Sequence, residues 1–252
     1  MEKNQKWLNK FITDSRAREH ASETMSVEEA MYSVFIETVS TSEVLPNIYF
    51  QKYKSTYKNR PYEVWGFQKS LQDDILEYSV FICDFIFSEN VTNSSKQDIE
   101  SAVKKASNFI EFTLDGSLSA DINDFHDIRH TVEDIKAGEE KYGLASLNIF
   151  YLTNKQLKKI ENLPEVTSFK KNNYEARIQY WDLTRWGEVV SSKTKREPIS
   201  FNFENLGYKI KLISLENKIK NIKTHLGIIP TQLLFDLYSK NNVRLLENNV
   251  RV

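Results

Sequence analysis

A near-continuous apolar run, YSVFICDFIF at 78–87, is rich in β-branched and aromatic side chains and follows the polar, turn-like stretch 70–74. A strand with one wet face alternates apolar and polar residues, whereas a strand covered on both faces need not. The run is therefore predicted to be a central strand with layers on both sides. Asp84 interrupts it. A carboxylate in such surroundings requires a partner, a metal or a place at the end of the sheet.

Helical spacing governs what comes before. Trp7, Leu8, Phe11 and Ile12 form one narrow stripe of a helix reaching about residue 21. Ser26 and Glu29 have capping-box spacing, and Ala30, Met31, Val34, Phe35 and Thr38 follow on one face, predicting a helix over 27–44 that Pro46 stops. Strand character then takes over at 48–50, 62–67 and 76–87.

Ser95 and Asp98 open a further helix, on which Ile99, Ala102, Val103, Ala106, Phe109, Ile110 and Thr113 recur until Gly116 closes it. A second helix over about 121–137 is expected to end at Gly138. The short apolar run LNIFYL at 147–152 comes after helices, and a crossover of this kind returns the chain parallel to the strand it left. Strands over 166–169 and 177–181 lead into a short helix at 182–190 with Asp182 as its N-cap.

Beyond Glu197 the pattern becomes strands with interleaved charges, ISFNF and YKIKLISL, then a helix over 225–238 with Pro230 near its first turn. The fold class expected is α/β: a mixed sheet with a helix, three strands, helix, strand core, followed by a strand-rich connector and a helix. A soft boundary near Lys195 divides the chain into 1–195 and 196–252.

Composition narrows the function classes. A net charge of −1 gives no global footprint for nucleic acid or membrane, so such binding would need a local patch. No apolar stretch reaches the ~18 residues of a membrane span. The one cysteine, Cys83, lies in the apolar strand without a mate, which fits a reducing, cytoplasmic setting. The 7 glycines form no phosphate-cradling loop, which excludes P-loop and Rossmann nucleotide sites.

The end of the chain, HLGIIPTQLLFDLYSKNNVRLLENNVRV at 225–252, carries Ile228, Ile229, Pro230, Leu234, Asp236, Leu237, Tyr238, Arg244, Leu245, Leu246, Glu247, Asn249, Val250 and Arg251 in one gapless pattern. This pattern resembles the opening of the conserved core of the AIPR family, the abortive-infection phage-resistance proteins. Earlier segments resemble the family's N-terminal region: VWGF from Val64 to Phe67, the pair Asp84 and Phe85, and REPI from Arg196 to Ile199. The resemblance implies bacterial anti-phage defence. Family members continue past the NVR motif, so it also implies a further C-terminal AIPR region as a partner. The apolar helix at 226–237 would be covered by that region or by a second copy of the chain.

The resemblance and the element order together imply a restriction-endonuclease-like core. In that fold a helix carboxylate, a strand Asp and an E-x-K pattern gather Mg²⁺ and a lysine at a scissile phosphate. Here Glu37, Glu63 and Asp84 are the candidate catalytic carboxylates, with Asp84 and Glu63 as metal ligands, but Trp65 stands where the Asp is expected and ICDF lacks the lysine. The complete PD-(D/E)xK motif is absent. Two readings follow, a noncatalytic recognition or scaffold module without cofactor and a divergent Mg²⁺-dependent nuclease.

Other clusters have a plain alternative. His126 and His130 in HDIRH share zinc-protease spacing, but Asp127 replaces the glutamate and no third ligand follows, which favours a solvated helix face. Tyr174, Tyr180, Trp181 and Trp186 near Lys170, Arg177 and Arg185 suit a nucleic-acid stacking surface or, more simply, core. Lys209, Lys211, Lys218, Lys220 and Lys223 are the candidate nucleic-acid patch, and also what a protected edge strand shows.

Overall fold

The computed structural model describes residues 2–43, 45, 48–72, 74–122, 127–157, 163–169, 174–192, 212–217, 222–228 and 230–241. Its centre is β3 (Ile75–Cys83), buried at every position from Tyr78 to Cys83. Neighbouring residues of a strand point to opposite faces, and both faces of β3 are covered. The Tyr78 hydroxyl donates to the Asp134 carbonyl of α5 (Asp127–Tyr142) at 3.3 Å. Phe81, an odd number of residues along, meets Tyr32 of α2 (Val27–Glu43) with ring centroids 6.4 Å apart.

The mixed sheet of six strands is ordered β1–β2–β3–β4–β6–β5. β1 (Tyr49–Tyr57), β2 (Arg60–Gln72) and β3 form an antiparallel meander. Its first turn has both central residues, Lys58 and Asn59, at positive φ, the backbone twist that suits a two-residue hairpin. β4 (Ser146–Leu152) runs parallel to β3, as the crossover argument requires, and β6 (Glu175–Trp181) runs parallel to β4. The short β5 (Val166–Ser168) pairs antiparallel at the edge.

Capping chemistry sets the helix starts. Ser95 caps α3 (Lys96–Leu114) by accepting from the Asp98 N–H at 3.1 Å, and Asp182 caps α6 (Leu183–Ser191) by accepting from the Arg185 N–H at 2.8 Å. Ser26 does the same for α2 through the Glu29 N–H. α1 (Glu2–His20) packs with α2 and α6 through Phe11, whose ring meets Phe35 and Trp186 at 5.8 and 5.4 Å. α3 and α5 line the other side of the core beneath Tyr78 and Val80, and the short α4 (Ser117–Asp121) joins them.

Several sequence expectations are corrected. The central strand ends at Cys83 and does not continue to residue 87, because beyond Asp84 the backbone turns to the Asn154 side chain, which bonds both the N–H and the carbonyl of Ile86. β1 extends to Tyr57 where only 48–50 was expected. The second helix does not stop at Gly138 but runs to Tyr142. A Cβ at Gly138 would lie 3.0 Å from the Tyr78 hydroxyl and 3.1 Å from Leu76, so this glycine serves close approach to β3. His225 belongs to a strand and not to the final helix.

The chain divides into two compact units, Met1–Glu197 and Pro198–Val252. In the second, β7 (Leu212–Asn217) and β8 (Ile222–Gly227) pair antiparallel, and α7 (Thr231–Asn241) follows. The ISFNF stretch lies outside the described residues.

Candidate functional site

A connected set of polar groups in the first unit lies at the carboxyl ends of the parallel strands β3, β4 and β6, the place where open α/β sheets hold ligands. Asp84 follows the last residue of β3. Its backbone N–H still donates to the Leu152 carbonyl at 2.9 Å, so the carboxylate is held at the mouth between β3 and β4. Lys155 reaches it from the loop after β4, with Nζ 2.7 Å from Oδ1 and 2.8 Å from Oδ2. The Tyr151 hydroxyl donates to Oδ2 at 2.9 Å. Both side chains of the ion pair are largely buried, at 16% exposed for Lys155 and 24% for Asp84.

The surrounding residues are tied in the same way. Thr153 Oγ1 donates to the Asp84 carbonyl at 2.7 Å. The Asn154 amide accepts from the Ile86 N–H at 2.9 Å and donates to the Ile86 carbonyl at 2.7 Å. The Gln156 backbone bonds Thr92 and Ser94 at 2.8 and 3.0 Å. Burial pushes the Tyr151 phenol well up; the Ser94 hydroxyl works against that, and the Asp84 charge adds to it. Tyr151 therefore stays a neutral donor. At the start of α3, hydrogen bonding by Ser95 holds the Asp98 carboxyl below the usual carboxylate range, with the Lys155 charge adding a smaller pull.

The other two candidate carboxylates have partners of their own. Glu63 on β2 is buried, accepts from Trp65 Nε1 at 2.9 Å and pairs with Lys105 of α3 at 3.0 Å. Trp65, at the position where the motif expects Asp, is buried, with Lys52 4.1 Å above its ring. Glu37 lies on α2, exposed, and pairs with Arg18 of α1. Glu63 lies on β2 and Asp84 just after the adjacent β3; burial raises the Cys83 thiol, the charges of Glu63 and Asp84 add to it, and that of Lys52 works against it. Among the described residues, no three His, Cys, Asp or Glu side chains form a set able to hold a metal ion.

The remaining candidates are placed as follows. His130 is exposed on α5, and His126 lies outside the described residues. Trp181 and Trp186 are fully buried, so their rings belong to the core; the Arg185 guanidinium lies 4.0 Å over the Trp181 ring, with Nη2 2.7 Å from Glu43. Lys170, Lys209, Lys211, Lys218 and Lys220 lie outside the described residues, and Lys223 is described only as a backbone position of β8. Lys155, Tyr151 and Lys105 escaped the sequence reading. The available signal for Lys155 was positional, a charged residue three positions past the end of an apolar parallel strand.

The fold and this cluster define an α/β domain with a doubly covered mixed sheet and a polar, ion-paired mouth at the ends of its parallel strands. Residues 31–186 match the family model of the abortive infection phage resistance protein N-terminal domain, and the chain belongs to that family of phage-defence proteins. No curated protein and no solved structure matches the chain. Among the described residues no helix is long and apolar enough to cross a membrane.

Proposed function

We propose that the first unit is a noncatalytic recognition or scaffold module of a cytoplasmic anti-phage defence protein, built on a nuclease-like core. The element order, with β1 to β4 side by side and β2 antiparallel to its neighbours, supports the nuclease-like part of this reading. The observation that carries the noncatalytic part is the pairing of Glu37, Glu63 and Asp84 with Arg18, Lys105 and Lys155, each from a different element. A catalytic metal needs several carboxylate oxygens about 2.0–2.6 Å from one ion. Here each carboxylate is neutralised by its own cation.

The divergent Mg²⁺-dependent nuclease remains the second reading, favoured by two carboxylate–lysine pairs on neighbouring strand segments, Glu63 with Lys105 and Asp84 with Lys155. Single- and double-stranded DNA and RNA, incubated with wild type and Asp84→Ala with and without Mg²⁺ or Mn²⁺, separate the two. Binding without cleavage, weakening with salt, is the expected result. Metal-dependent cleavage that disappears in the variant would overturn the noncatalytic reading.

The second unit supports a protein-contact role. Leu233 and Leu237 of α7 are buried, while Ile228, Leu234 and Phe235 are exposed, a run of large apolar side chains suited to a protein partner. In this reading the partner is the further AIPR region or a second copy. Sedimentation velocity of wild type against Phe235→Ser tests it: concentration-dependent association lost in the variant is expected, and an ideal monomer in both removes the self-association arm.

A further inference from the structure

We draw no further inference here: the strongest candidate, the groove between α1, α2 and α6 over Val34, Trp186 and Val189, has floor side chains already buried in the core and rim charges already paired as Lys10–Asp14 and Arg18–Glu37, and nothing in the structure shows what covers it.

Discussion

Lys155 Nζ lies 2.7 and 2.8 Å from the two carboxylate oxygens of Asp84, joining the residue just after β3 to the loop that follows β4. Both groups are mostly removed from water, so deleting one leaves the other as an uncompensated charge. Exposed pairs are worth about 0.5 kcal/mol and breaking a fully buried one costs about 4; at this intermediate burial about 2 kcal/mol is expected for Lys155→Met or Asp84→Asn. The double variant should cost clearly less than the sum, with a coupling of about 1–2 kcal/mol. Urea denaturation of the four proteins measures this, and strict additivity would show that the pair contributes no mutual stabilisation.

Gly66 explains one position of the VWGF segment in physical terms. The Tyr32 hydroxyl donates to the Tyr49 carbonyl at 3.4 Å beside it, and a Cβ on Gly66 would fall 2.1 Å from that hydroxyl and 2.3 Å from that carbonyl oxygen. The hydroxyl can move away, but the carbonyl belongs to the paired backbone of β1. Gly66→Ala should destabilise by about 2–3 kcal/mol through overpacking. Adding Tyr32→Phe should recover only part of that, since the backbone clash persists. An alanine variant with the wild-type denaturation midpoint would refute the close approach.

What could be read from the chain beforehand follows the range of the interaction. Local chemistry was legible: the Ser95–Asp98 cap, the Ser26–Glu29 box and the Asp182 cap each involve residues three apart, and each appears in the structure. The parallel return of 147–152 was legible because the crossover rule constrains topology. The partner of Asp84 was not, since Lys155 is 71 residues away and adjoins it only once β3 and β4 are paired. Gly138 misled for a related reason. Its need is tertiary, the nearness of Tyr78 and Leu76, while the helix itself continues to Tyr142 and ends before Gly143 at φ +70°. Asp84 alone was legible as a charge needing a partner, and Glu37 and Glu63 were read with it as candidate catalytic carboxylates; that each of the three pairs with a basic side chain from another element is a property of the packed molecule.

Thr113 offers a stabilising substitution. Among the described residues its Oγ1 is buried without a hydrogen-bond partner, and the residue lines a small apolar cavity with Tyr78, Val80, Phe109 and Leu147. A buried hydroxyl left unsatisfied costs about 1–3 kcal/mol, and valine keeps the shape without the polar atom. Thr113→Val should therefore gain about 1 kcal/mol, which raises Tm by about 2–4 °C in a unit of this size. A lower Tm in calorimetry would mean that the hydroxyl has a water or carbonyl partner in solution.

Alkaline pH should unfold the first unit through its tyrosines. Burial raises the phenols of Tyr32, Tyr62, Tyr78 and Tyr151 above their ordinary value, and pushes Tyr180 up to about 12, with the charges of Glu100 and Glu165 adding to it. The unfolded chain loses these protons near pH ~10, before the folded protein does. The folded state is thus the one that retains the protons, and it loses stability wherever the unfolded state binds fewer of them. For Tyr180 the contribution is fully present below pH ~10 and is lost as pH rises through about 12. The phenolate absorbance of these buried tyrosines and the far-ultraviolet circular dichroism, followed on the same samples, should therefore change together in one cooperative step above pH ~10. Complete ionisation of the tyrosines with the circular dichroism unchanged would show that these phenols reach solvent in the folded protein, and would remove burial as the cause of their shifts.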